Sequence, residues 1–232
     1  MIRRYDRQVT ASPRFRAAIF DMDGLLLDSE RPLLEAWVEA ARQLGHRFEP
    51  ELLARVLGRP GAEGVALFRA ALGPDYPYDK VKSRARELMT EAHARGFDVK
   101  QGARELLARL ERARVPCAVA SSTRRAQLEE RLMRAQLHGF FGAFAGGDEV
   151  TRGKPAPDIF LLAAERLAVE AERCVVFEDS EHGAQGARAA SMQVVIVPDL
   201  VEPSAEAHAS CCAVLASLAS VNEHFEAWFG HV

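Results

Sequence analysis

The chain has 232 residues, 27% of them charged, and a formal net charge of −3. That length holds one large domain, or one core with a modest insert, and buries an adequate core without disulfides or a structural metal. No basic stripe suits a nucleic acid, and no apolar run approaches the roughly 20 residues that cross a bilayer, so neither partner is expected.

The opening segment, MIRRYDRQVTASPRF, carries positive charge without an apolar stretch and reads as a leader ahead of the first strand, not as a secretory signal. The first buried strand is predicted at Ala17-Ala18-Ile19-Phe20, too short for a helix and apolar throughout. From about Arg31 to Phe97 the signals are helical only: Leu33, Leu34, Trp37 and Val38, then Leu52, Leu53, Val56 and Leu57, then Val65, Leu67 and Phe68, then Leu88 and Met89. Gly45, Gly58-Arg59-Pro60-Gly61 and Gly73-Pro74 divide them. Strand and helix then alternate. Helical periodicity covers Ala103 to Arg114, Arg124 to Leu137 and Asp158 to Leu167, and further strands are predicted at Cys117–Ala120, Cys174–Phe177 and Val194–Val197. Pro203 onward reads as a polar turn and a closing helix ending near Phe229. The alternation predicts an α/β fold, a doubly wound parallel sheet, with an all-helical cap inserted after the first strand. The core is placed at 1–28 and 98–232 and the cap at 29–97. Cys117, Cys174, Cys211 and Cys212 lack metal-ligand spacing and fit reduced thiols in a cytoplasmic protein, expected to be a monomer.

The chemistry lies just after the apolar runs. The first ends in Asp21-Met22-Asp23-Gly24, the second in Ser121-Ser122-Thr123 and the third in Glu178-Asp179-Ser180, while a separate loop holds Gly153-Lys154-Pro155. In an open α/β sheet, ligands bind at the carboxyl ends of the strands, so these groups are expected to converge on one crevice. Taken singly, each is an ordinary turn or helix cap. Their combination, each at a strand end, points to phosphoryl chemistry. Asp21 and Asp179, with Glu178 as an outer partner, supply hard oxygen ligands for Mg2+. Lys154 adds a fixed positive charge, and Ser121 a hydroxyl backed by a helix N-terminus. Asp21 can attack phosphorus as a nucleophile, and Asp23, two positions on and facing the same way, can act as general acid.

In these motifs the chain resembles the haloacid-dehalogenase-like hydrolase superfamily, in the branch of β-phosphoglucomutase and the phosphoglycolate-phosphatase-like enzymes. Asp21-Met22-Asp23-Gly24-Leu25-Leu26-Leu27-Asp28-Ser29-Glu30 is similar to the family's first motif, Ser121 to the second, Lys154 to the third and Glu178-Asp179-Ser180 to the fourth. The resemblance implies a Rossmann-like core with a helical cap, and a metal held also by the backbone carbonyl of Asp23. True dehalogenases lack the second aspartate, present here as Asp23. Leu33 stands where β-phosphoglucomutase has a cap histidine, and Gly61 where it has the arginine for a second phosphate, with Arg59 two residues earlier. Both departures favour a Mg2+-dependent phosphatase of a small organic phosphomonoester. The alternatives are a phosphosugar mutase and a binding protein on the same fold. Ser122, Arg124 and Arg59 are the candidate substrate contacts. Lys82, Arg84 and Arg86 read as a solvated helical face, and Trp37 as cap core.

Overall fold

A computed structural model describes residues 14–54, 56 and 61–230. The chain begins with strand β1 (Ala17–Phe20), then passes through four helices: α1 (Glu30–Gln43), α2 (Pro50–Ala54), α3 (Gly61–Leu72) and α4 (Tyr78–Arg95). It continues through α5 (Ala103–Arg112), β2 (Cys117–Ser121), α6 (Arg125–Arg134), β3 (Ala143–Gly146), α7 (Asp158–Leu167), β4 (Cys174–Glu178), α8 (Glu181–Ala189) and β5 (Gln193–Ile196). It closes with α9 (Ala205–Ser210), β6 (Ala213–Val214) and α10 (Phe225–Phe229).

The six strands form one parallel sheet in the order β3-β2-β1-β4-β5-β6. β1 is central, and the winding direction reverses beside it, which makes the β1/β4 boundary the topological switch point. Two strands were not predicted from sequence, β3 and β6, one at each edge.

Side chains alternate across the sheet, as the pleat requires. Ala18, Phe20, Val119, Val175, Phe177 and Val195 face one layer, built from α5, α6 and the C-terminal segment with Phe225 and Trp228. Ala17, Ile19, Ala118, Val176, Val194 and Ile196 face the other, built largely from α7 and α8 with Ile159, Phe160 and Ala187. Both faces are covered, which is why the strands read as continuous apolar runs rather than alternating ones.

The first four helices after β1, α1 to α4, carry a separate core. Trp37 stacks on Phe68 with ring centroids 5.0 Å apart, and Phe48 and Tyr78 close around the pair. The chain leaves for these helices and returns along two paired segments. Asp28 N–H donates to Asp98 O at 2.9 Å, Lys100 N–H donates to Leu26 O at 2.9 Å, and Leu27 bridges Val99. This two-stranded link fixes the root of α1 next to the C-terminal end of β1.

Cys117 and Cys174 lie buried in β2 and β4, and burial raises their thiols to about 12 and about 11. Thiols so far from ionisation are poor nucleophiles, consistent with a structural role. Among the described residues no helix is long and apolar enough to cross a membrane.

Candidate active site

The chain ends of β1, β2 and β4 converge at the switch point. Asp21 follows β1 and is 6% exposed; Glu178 ends β4 and is fully buried; Ser121 ends β2 and is 1% exposed. Lys154 arrives from the loop before α7 and binds both acids, with Nζ 2.5 Å from Asp21 Oδ1 and 2.5 Å from Glu178 Oε1. Three of the four sequence motifs therefore meet through one ammonium group.

Glu178 is tied down by more than Lys154. Its Oε2 accepts from the backbone N–H groups of Asp179 and Ser180 at 3.1 Å each, and from Ser180 Oγ at 3.0 Å. Ser180 Oγ in turn accepts from Gly183 N–H and caps α8. Both carboxylate oxygens are thus engaged by the protein itself. Glu178, the expected outer partner of Asp21 and Asp179, thereby holds Lys154 and shapes the loop. Gly183 packs so closely on it that a Cβ there would overlap the carboxylate. Gly183→Ala is expected to cost about 3 kcal/mol, as over-packing against an immovable buried group does. Urea unfolding checks this, and a midpoint within error of the native one would contradict it.

Asp23 is the hub of the opposite wall. Ser29 Oγ donates to its Oδ1 at 2.8 Å and Arg131 Nη1 donates to the same oxygen at 2.7 Å. Thr123 Oγ1 donates to Oδ2 at 2.8 Å, with Ser121 Oγ at 3.5 Å. Ser121 Oγ also accepts from Thr123 N–H at 3.1 Å, which turns its proton towards Asp23. Arg131 comes from α6, and its other terminal nitrogen lies 3.1 Å from His93 Nε2 on α4. A guanidinium only donates, so His93 accepts at Nε2 and carries its proton on Nδ1. Burial, and then the Arg131 charge, lower the His93 pKa and keep the ring neutral.

The electrostatics are unbalanced in one direction. Burial raises Asp21 to about 8 despite Lys154, with Glu178 and Asp23 adding to the rise. Asp179 is raised well above the carboxylate range by burial and then by Glu178 and Asp21. Glu30, at the start of α1, is raised to about 7 by burial and then by Asp199 and Asp23. Burial opposes the charge on Lys154, but Asp21 and Glu178 outweigh it and raise that pKa. Gly24, at a left-handed φ of 83°, brings the backbone so close to Asp179 that a Cβ would overlap its carboxylate. A crowd of hard oxygens whose charge one lysine does not offset fits a divalent cation. Among the described residues no three acidic, histidine or cysteine side chains already stand in a ready-made ligand set.

The candidate substrate contacts fare differently. Arg124 is exposed, pairs with Asp148 at 3.7 Å and does not line the cavity beneath the helical insert. Ser122 is exposed, and its neighbour Thr123 makes the inward contact instead. Arg59 lies outside the described residues. Ser29, Glu30, Thr123, His93 and Arg131 were not among the sequence candidates. Ser29, Glu30 and Thr123 sit inside the quoted motifs, whereas nothing local marks His93 or Arg131.

Between these groups and the helical insert lies a cavity of about 420 Å3. Asp23, Ser29, Glu30, His93 and Arg131 form its polar end; Leu33 and Trp37 of α1 and Ala85 and Met89 of α4 line its apolar walls. Lys82 and Arg86 of α4 complete it. Trp37 thus serves mainly as core and shows only an edge to the cavity. Arg84, by contrast, pairs with Glu87 and Gln43 on the outer surface.

A buried carboxylate locked to a lysine at the switch point of a parallel sheet, beneath a helical insert, defines an α/β enzyme of the hydrolase type. The chain belongs to the haloacid dehalogenase-like hydrolases, whose family profile matches residues 18–197. It is 36% identical over 177 residues to a phosphorylated carbohydrates phosphatase of Thermotoga maritima, covering 76% of this chain and 82% of that one. It is 37% identical over 210 residues to a protein of Drosophila melanogaster named probable pseudouridine-5'-phosphatase, covering 87% and 89%. Among solved structures it is similar to a HAD family hydrolase of Deinococcus radiodurans R1 determined with bound phosphate and sodium. There the TM-score is 0.76 and the identity 28%, over 93% of this chain and 96% of that one.

Proposed function

We propose that the chain is a Mg2+-dependent phosphatase that hydrolyses a small organic phosphomonoester through an aspartyl-phosphate on Asp21. The observation that carries this is the pairing of Asp21 with Lys154 and of Asp23 with Ser121 at the strand ends, with Asp23 also lining the cavity beneath the helical insert. The relatives named as phosphatases, and the neighbour with bound phosphate, support the same assignment.

In this scheme Asp21 attacks phosphorus, forming the aspartyl P–O bond as the ester P–O bond breaks. Lys154 holds the attacking carboxylate and lies close enough to share its charge with a phosphoryl oxygen. Ser121, just ahead of the α6 N-terminus, supplies a hydroxyl donor for a remaining oxygen in place of its long 3.5 Å contact to Asp23. Asp23 gives its proton to the departing alkoxide, then takes one from the water that attacks the aspartyl-phosphate and releases Asp21. Ser29, Thr123 and Arg131 fix the Asp23 carboxylate for both transfers. Asp21, Asp179 and the Asp23 carbonyl would hold Mg2+, with Glu178 behind them. Bound there, the ion would neutralise charge on the carboxylates and on the substrate. The helices above the site would exclude bulk water while the first transfer proceeds.

Release of p-nitrophenol from p-nitrophenyl phosphate, dependent on Mg2+, checks the activity. A panel of metabolite phosphates scored by inorganic phosphate then ranks substrates. Absence of turnover on the whole panel with Mg2+ present would contradict the assignment.

The mutase alternative is tested separately. Leu33, at the position aligned with the mutase's cap histidine, lines the cavity with an aliphatic chain that cannot donate or accept a proton. With β-glucose 1-phosphate and a trace of its bisphosphate, 31P NMR is expected to show inorganic phosphate as the dominant product, or no turnover. Glucose 6-phosphate accumulating faster than inorganic phosphate would make the chain a mutase.

A further inference from the structure

The cavity is polarised along its length, and α4 supplies the scale. Lys82, Ala85, Arg86, Met89 and His93 all line it, at intervals of 3, 1, 3 and 4 residues that keep them on one face of the helix. His93 stands at the reacting end, joined through Arg131 to Asp23. At about 1.5 Å of rise per residue, Arg86 lies about 10 Å and Lys82 about 16 Å further along the helix axis. The stretch between is apolar, with Met89 and Ala85 facing Leu33 and Trp37 of α1.

Lys82 rests over the Tyr78 ring at 5.7 Å, and neither Lys82 nor Arg86 makes an ion pair with another described residue. Their neighbour Arg84, on the opposite side of the helix, is paired with Glu87 and Gln43. Arg84 is thus neutralised outside the cavity, while Lys82 and Arg86 line it without an ion pair among the described residues. Burying an unpaired cation costs free energy, whereas a cation at an open cavity end stays solvated until an anion displaces its water.

We propose that Lys82 and Arg86 form a second anion subsite, and that the substrate is a phosphomonoester with a second acidic group at its far end. Resting on the phosphatase assignment, this narrows the substrate class. The phosphoester occupies the Asp23 end, with Asp21 next to it, and a carbon skeleton of about five or six atoms lies along the apolar walls. A second phosphate or a carboxylate meets the two cations. The two residues are specificity determinants, not catalytic residues, and act through binding.

The test uses the full chain with Mg2+ and two matched pairs of substrates. Fructose 1,6-bisphosphate against fructose 1-phosphate reports a second phosphate; 6-phosphogluconate against glucose 6-phosphate reports a carboxylate. In at least one pair the two-acid member is expected to have kcat/KM higher by about tenfold or more, through KM. The double variant Lys82→Gln/Arg86→Gln should lower that value on the order of 10- to 100-fold and erase the preference, as loss of charge-assisted hydrogen bonds does. Lys82→Arg/Arg86→Lys should keep the preference, which separates charge from packing. Wild-type kcat/KM values within about threefold in both pairs, or a double variant that slows both members of a pair equally, would overturn the proposal. Turnover of p-nitrophenyl phosphate, which lacks a second acid, reports on the phosphatase assignment independently.

Discussion

Asp21→Asn is expected to fold as the native chain does and to lose on the order of 10³ or more in kcat. The side chain is nearly isosteric, and its carbonyl oxygen can still accept from Lys154, now at 2.5 Å from Asp21 Oδ1. Burial works against a charge at this position, so a neutral amide brings no new desolvation cost. What the amide lacks is a nucleophilic oxygen, and no neighbour replaces it. Glu178 is fully buried and engaged on both oxygens, while Asp23 is held by Ser29, Thr123 and Arg131. Steady-state rates on p-nitrophenyl phosphate, alongside urea unfolding of both proteins, check both halves of the expectation. Retention of more than about a tenth of the native rate would remove Asp21 from its role.

Removing the divalent cation is the second large effect expected. Excess EDTA should abolish turnover and Mg2+ should restore it, while Ca2+ should bind yet support little turnover because its larger, looser coordination misplaces the attacking carboxylate. The reason lies in the charge balance. Asp21, Asp179 and Glu178 crowd one buried corner, and Lys154 alone does not prevent Asp21 and Asp179 from rising far above their ordinary proton affinity. A phosphate dianion entering that corner without a cation would meet net repulsion. Full activity in excess chelator would contradict the cation requirement.

The central sheet was legible wherever a strand is covered on both faces. β1, β2, β4 and β5 announce themselves as apolar runs, and acidic residues stand at the ends of β1 and β4. β3 escaped because its sequence is Ala143-Phe144-Ala145-Gly146, whose small residues carry no strand signal. Gly146 is small for a reason that only the fold displays: a Cβ there would overlap the backbone of Arg125. β6 is two half-buried residues and has no pattern to read. Helices α5 and α6 end earlier than their periodicity suggests. Arg114 and Gln136 take left-handed conformations that a sequence reader expects of glycine.

In the site, the groups that end strands were legible because topology alone gathers them. The groups that helices bring in were not. Arg124 directly follows the Ser121–Thr123 loop in sequence, yet it stands at the edge of α6 and pairs with Asp148. Arg131, two turns into the same helix, reaches back to Asp23, since helical side chains lean towards the N-terminus. His93 enters through the packing of α4 over the core, a tertiary event with no local trace. Lys82 and Arg86 differ from Arg84 only in which side of α4 they occupy, and that side is set by the pairing of α1 with α4.

Capture of the covalent intermediate bears most directly on Asp21 as nucleophile. The native chain with Mg2+ and a turned-over phosphomonoester, quenched in acid within the first turnover and digested, is expected to yield a phosphoryl adduct on the peptide containing Asp21, sensitive to hydroxylamine as an acyl phosphate is. The adduct should be absent from Asp21→Asn. Rapid release of inorganic phosphate with no adduct on that peptide, or an adduct that persists in Asp21→Asn, would contradict the account.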